Sequence, residues 1–108
     1  MLLGFFLTMI TWLRRLRHLI DIVRVVGDSM LPTLKDGDWL LFIRWRLRVG
    51  SIVLADVLEE EPVIKRITEI YENKIIRICG DNRSISAEYL AFSEDIWGVG
   101  LCRLWRAN

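Results

Sequence analysis

Histidine, cysteine and long apolar runs are nearly missing from this chain, and each shortage removes a class of chemistry. The single histidine, His18, lies in a basic run with no cysteine or carboxylate cluster beside it. It is a poor metal ligand and a poor triad base. The two cysteines, Cys79 and Cys102, form no CxxC pair and are too few for a disulfide framework, so both read as small buried apolar residues. Residues 1–13 carry no charge, but a helical span needs about 20 apolar residues. They also lack the basic flank of a secretory signal peptide. Charge of one sign is lacking too: 15 Lys and Arg face 14 Asp and Glu, which gives no reason to expect nucleic-acid binding. No metal and no cofactor is expected.

What is present is a 108-residue chain of one-domain size, 53% apolar, more than a soluble core alone asks for. A membrane contact is therefore expected. Basic charge gathers in the first half: residues 1–50 hold eight Arg and Lys against four Asp, and residues 51–108 hold seven against ten acidic residues. In residues 1–22, Phe5, Met9, Trp12, Leu16 and Leu19, continued by Val23, fall on one helical stripe, with Thr8, Thr11, Arg14, Arg15, His18 and Asp21 opposite. This predicts an amphipathic helix lying in the membrane interface, its arginines toward anionic lipid. Packing on the domain or on a partner is the plainer alternative, and a short spanning anchor a third. If it spans, Arg14, Arg15 and Arg17 keep the following domain cytoplasmic.

From residue 23 to 108 the period changes to two, which predicts a mainly β catalytic core. Trp39, Leu41, Ile43, Trp45 and Leu47 alternate with Asp38, Leu40, Phe42, Arg44, Arg46 and Arg48, a long strand with one apolar and one mixed Arg face. Residues 51–58 read as a second strand. Residues 62–71 and 74–79 read as a hairpin around Glu72-Asn73, and residues 96–105 as a closing strand. Glycine-centred turns at Gly37, Gly50 and Gly80 separate them. The expectation is a small antiparallel barrel or sandwich preceded by one N-terminal helix.

Ser29 and Lys65 carry the chemistry. A peptidase needs an attacking oxygen, a base and donors for the oxyanion. Lysine accepts a proton at neutral pH only when burial disfavours its charge, which can bring its pKa to about 7–8. Lys65 shares a strand face with the apolar Val63 and Ile67, while Arg66 points the other way and stays solvated. Taken singly, Ser29 reads as a helix N-cap and Lys65 as an edge lysine.

Together with their context they resemble type I signal peptidases. Ser29-Met30-Leu31-Pro32-Thr33-Leu34 followed by Gly37-Asp38 is similar to the nucleophile box. Gly50-Ser51-Ile52-Val53 resembles the next box, with Ser51 where an Asp is usual. Ile64-Lys65-Arg66-Ile67 resembles the general-base box, and Gly80-Asp81-Asn82 the box after it. The resemblance implies Ser29 as nucleophile and Lys65 as general base. It further implies Ser86 as a residue orienting the lysine, and Val25, Met30, Leu34, Val63 and Ile64 as lining of shallow substrate pockets. An extended leader or pro-peptide would add as a strand beside residues 23–27 and the Lys65 strand. Gly27 sits where some members carry an oxyanion-binding hydroxyl, and Glu88-Tyr89-Leu90 replaces the usual Asp-Ser-Arg. Only residues 66–79 separate Lys65 from Gly80, so the large second subdomain of typical bacterial members is absent. Such minimal members include the maturation protease of nickel-type superoxide dismutase.

Two other readings stay open at this point. One is a LexA-like Ser/Lys autopeptidase. The other is a non-catalytic, membrane-bound β module that binds extended peptides.

Overall fold

The structure, a computed structural model, describes residues 19–57, 62–85 and 87–107. Seven strands run in chain order: β1 (Ile20–Arg24), β2 (Trp39–Ile43), β3 (Ile52–Ala55), β4 (Val63–Ile70), β5 (Ile75–Cys79), β6 (Glu88–Phe92) and β7 (Ile96–Trp105). They form one sheet in the order β1-β2-β7-β3-β4-β5-β6, and every pairing is antiparallel. The mainly β antiparallel architecture is the expected one, as are the β4–β5 hairpin and the closing strand β7.

Burial alternates along the strands, and β3 is covered on both faces. Leu54 packs with Val25, Met30, Leu34, Leu40 and Phe42 on one side. Val53 and Ala55 pack with Ile67, Ile76 and Ile78 on the other. This double burial explains why β3 is an unbroken apolar run with no polar alternation. Each large side chain in these clusters contributes about 1.5–3 kcal/mol by leaving water.

Three expectations fail here. Residues 20–22, assigned to the end of the N-terminal helix, are strand: β1 pairs with β2 through Ile20↔Ile43, Ile22↔Leu41 and Val23↔Leu40. Over four residues a helical stripe and an alternating strand look alike, and pairing with β2 decides between them. The rest of that helix, residues 1–18, lies outside the described residues.

The strand expected over residues 38–48 is shorter, and its core-facing side is the set that holds Leu40 and Phe42 rather than the set read as the apolar face. Leu40 and Phe42 are buried, with Asp38 below them, whereas Trp39 is exposed. The strand stops at Ile43, before the Arg-rich stretch. Up to Ile43 both alternating sets are apolar, so alternation carries no information about which faces the core. Gly98 on β7 permits the approach to β2, because a Cβ there would stand 2.8 Å from the Ile43 carbonyl oxygen.

The cysteines are the third correction. Cys79 is only half-buried and Cys102 is exposed, and both are free thiols.

Candidate active site

Residues 27–34 form a tight turn after β1. Gly27 has φ +86°, a conformation that side-chain-bearing residues rarely adopt, and its N–H donates to Asp36 Oδ1 at 2.7 Å. That backbone accounts for glycine where the family resemblance led to a hydroxyl. The Leu31 N–H donates to the Asp28 carbonyl at 3.2 Å, and the Leu34 N–H to the Met30 carbonyl at 2.9 Å. Met30 and Leu34 are sunk in the core and anchor the turn, which leaves Ser29 half-buried at its rim.

Lys65 stands on β4 opposite Val53 of β3. It is only 7% exposed. Burial pushes its ammonium below the ordinary lysine range, against a smaller opposing influence from Cys79. The Tyr89 ring lies over it, with the centroid 5.9 Å from Nζ.

Asp81 joins the two pieces. Arg66 binds it through both forks, Nε to Oδ1 and Nη2 to Oδ2, each at 2.8 Å. Arg66 also donates from Nη1 to the Gly50 carbonyl at 2.6 Å. Thr33 of the nucleophile turn donates to Asp81 Oδ2. The next residue, Asn82, donates its N–H to the Ser29 carbonyl at 2.8 Å and its side-chain amide to the Asp28 carbonyl at 3.0 Å. Arg66 is therefore not a freely solvated neighbour of the base but part of a clamp. The Arg66 guanidinium, followed by the Thr33 hydroxyl, holds the Asp81 carboxyl below its ordinary range against the opposing effect of burial.

Asp38 secures the far side of the turn. It is fully buried and accepts from the Lys35 N–H at 2.9 Å, the Ala107 N–H at 2.7 Å and Arg103 Nη1 at 3.2 Å. The Lys35 bond is the largest cause holding its carboxyl below the ordinary range. Burial opposes that shift, and the Ala107 and Arg103 bonds add to it.

Ser29 and Lys65 open onto one groove of about 400 Å³. Of the residues that the resemblance implies as substrate-pocket lining, Val25, Met30, Val63 and Ile64 line this groove. Leu34 does not: it belongs to the core beneath the turn. Ser86 lies outside the described residues. Tyr89, which the sequence reading did not assign to the site, lines the groove beside Lys65. Its signal was the departure from Asp-Ser-Arg at residues 88–90.

Both walls of the groove are strand edges. Val25 bonds toward Gly37 and Asp38, on the β2 side. The pairing of β4 with β5 begins only at Arg66, so the edge at residues 63–65 has no β5 partner. A larger cleft of about 570 Å³ lies on the opposite face of β4 and β5, among Arg66, Arg77, Arg83 and Glu88, and includes neither Ser29 nor Lys65.

A family model described as Peptidase S24-like matches residues 10–101, which take in the serine turn, the lysine strand and the Asp81 clamp. No match is found among curated proteins. The chain belongs to the S24-like family of serine peptidases.

Proposed function

We propose that the protein is a serine endopeptidase of the signal peptidase type, removing an N-terminal leader or pro-segment from a partner protein. The observation that carries this reading is the shared groove, lined by both Ser29 and the buried Lys65 and walled by strand edges. Neutral Lys65 takes the proton from Ser29 Oγ as the oxygen attacks the scissile carbonyl. The Ser29 backbone N–H donates to the developing oxyanion. As the tetrahedral intermediate collapses, the Lys65 ammonium gives its proton to the departing amine. The same lysine then deprotonates the water that hydrolyses the acyl-Ser29 ester. The substrate lies extended as an added strand, with small side chains on Val25, Met30, Val63 and Ile64. The leader of a nickel-type superoxide dismutase suits such a reduced, core-only enzyme.

The membrane is the proposed setting. Among the described residues no helix is long and apolar enough to cross a bilayer. The outer face of β1, β2 and β7 nevertheless exposes Ile22, Trp39, Leu101 and Trp105, and Trp45 is exposed just beyond β2. Arg44, Arg46 and Arg48 are exposed just beyond β2. Tryptophan beside arginine suits the headgroup level of an anionic bilayer.

The test is cleavage of leader-bearing candidate substrates by the purified full chain, read by the new N-terminus. Cleavage at one bond, abolished in Ser29→Ala, is the expected result. Cutting of this chain itself with no cutting in trans would favour the LexA-like autopeptidase. Tight peptide binding without cleavage would favour the binding module.

A further inference from the structure

We propose that Tyr89 is a positioning residue for Lys65, its ring covering the amine and keeping water from it. The inference rests on the Ser/Lys reading and deepens it. Tyr89 comes from β6, paired with Ile78 of β5, and packs on the cluster of Val53, Ile67 and Ile78. This apolar seat fixes the ring. The ring centroid stands 5.9 Å from Lys65 Nζ, and Tyr89 forms part of the groove wall.

An aromatic face has two opposite effects on a lysine. Its quadrupole attracts the ammonium, but 5.9 Å is near the limit of that contact. Its bulk removes water from the charge, an effect that reaches several pH units at full burial. For a lysine 7% exposed the second effect wins. No carboxylate is at hand to reverse it among the described residues. Strand β3 offers only apolar residues, and β5 offers Cys79, whose influence is the smaller one. The far wall offers Arg24, a like charge. Arg66 lies on the other face of β4 with Asp81, and Glu88 lines the other cleft. Ring cover is thus the device by which this chain disfavours the charged form of a lysine that shares a groove with Ser29.

The chain has three lysines, Lys35, Lys65 and Lys74, so side-chain titrations are resolvable by NMR of lysine-labelled protein, with Lys65→Arg giving the assignment. In parallel, acylation of Ser29 by the p-nitrophenyl ester of acetyl-alanine is followed against pH. Tyr89→Phe should leave both profiles in place. Tyr89→Ala should raise the Lys65 titration and the acid limb of acylation together by about one pH unit, a roughly tenfold loss below the limb with recovery above it. If Tyr89→Ala does not fold, Tyr89→Ser replaces it. An unmoved Lys65 titration, or loss at all pH with an unmoved limb, overturns the role of Tyr89. A moved titration with full acylation in Lys65→Arg leaves Tyr89 covering the lysine and sinks the Ser/Lys reading instead.

Discussion

Lys65 and Arg66 are neighbours on one strand, yet the two faces of β4 treat their charges in opposite ways. Among the described residues the Lys65 face has no anion, and the lysine meets little water, so its charged form is disfavoured. The Arg66 face supplies a bidentate carboxylate and a carbonyl, so its charged form is held. One face buries a lysine, the base of the proposed mechanism; the other carries a brace that ties the Ser29 turn to β4 through Asp81 and Asn82. The proposed reactivity and the rigidity thus both rest on the two-residue period of a single strand.

Breaking the reactive face should have the largest effect. Ser29→Ala and Lys65→Arg are each expected to lower cleavage on the order of 10³-fold or more with circular dichroism unchanged. Guanidinium does not give up its proton, so Lys65→Arg separates basicity from charge. Normal cleavage by Lys65→Arg would remove the base from the mechanism.

Breaking the brace comes next. Asp81→Asn keeps the shape but loses the charge that Arg66 and Thr33 bind, and should lower cleavage about tenfold to a hundredfold while acylation still occurs on Ser29. Asp38→Ala strands the Lys35 and Ala107 N–H groups and should destabilise the fold by about 3 kcal/mol in urea titration. Both carboxyls are held below their ordinary pKa. Their stabilisation is therefore complete above the unfolded value of about 3.9 and is lost as pH falls through the folded values. Acid unfolding below about pH 4 should be less steep in Asp81→Asn than in the wild type. Equal steepness would show that the clamp is not ionic.

The two faces also differ in stability. Lys65 has a lowered folded pKa, so its burial opposes folding at neutral pH and stops doing so only above the free lysine value. Lys65→Met should be inactive yet more stable, by the order of 1 kcal/mol at pH 7. A loss of stability would mean that the lysine site is not strained by burial.

Much of the lysine face was legible from sequence, because Val63, Lys65 and Ile67 alternate on a strand whose partner turn is marked by Glu72-Asn73. The brace was not, because Arg66 and Asp81 are 15 residues apart and their union depends on the β4–β5 register. Strand β7 was readable from end to end. Strand β1 was not, because Ile20 to Val23 fit a helical stripe as well as a strand. Tyr89 was visible only as a departure from a motif, since its strand is short and its role comes from where the sheet places it.

The smallest effect concerns the outer face. Changing Arg44, Arg46 and Arg48 together to Gln should weaken binding to anionic vesicles severalfold at low salt and leave catalysis in solution unchanged. The same substitutions in residues 14, 15 and 17 test the N-terminal arginines separately. Equal binding to neutral and anionic vesicles would remove the electrostatic part of the attachment.

The central claim is that Lys65, uncharged, activates Ser29. It is tested most directly by intact mass of the full chain after exposure to the acetyl-alanine p-nitrophenyl ester across a pH series. The expected result is one acyl group on Ser29, forming faster as pH rises through a lowered lysine pKa and missing in Lys65→Ala. An adduct that forms equally well in Lys65→Ala, or on a residue other than Ser29, would contradict it.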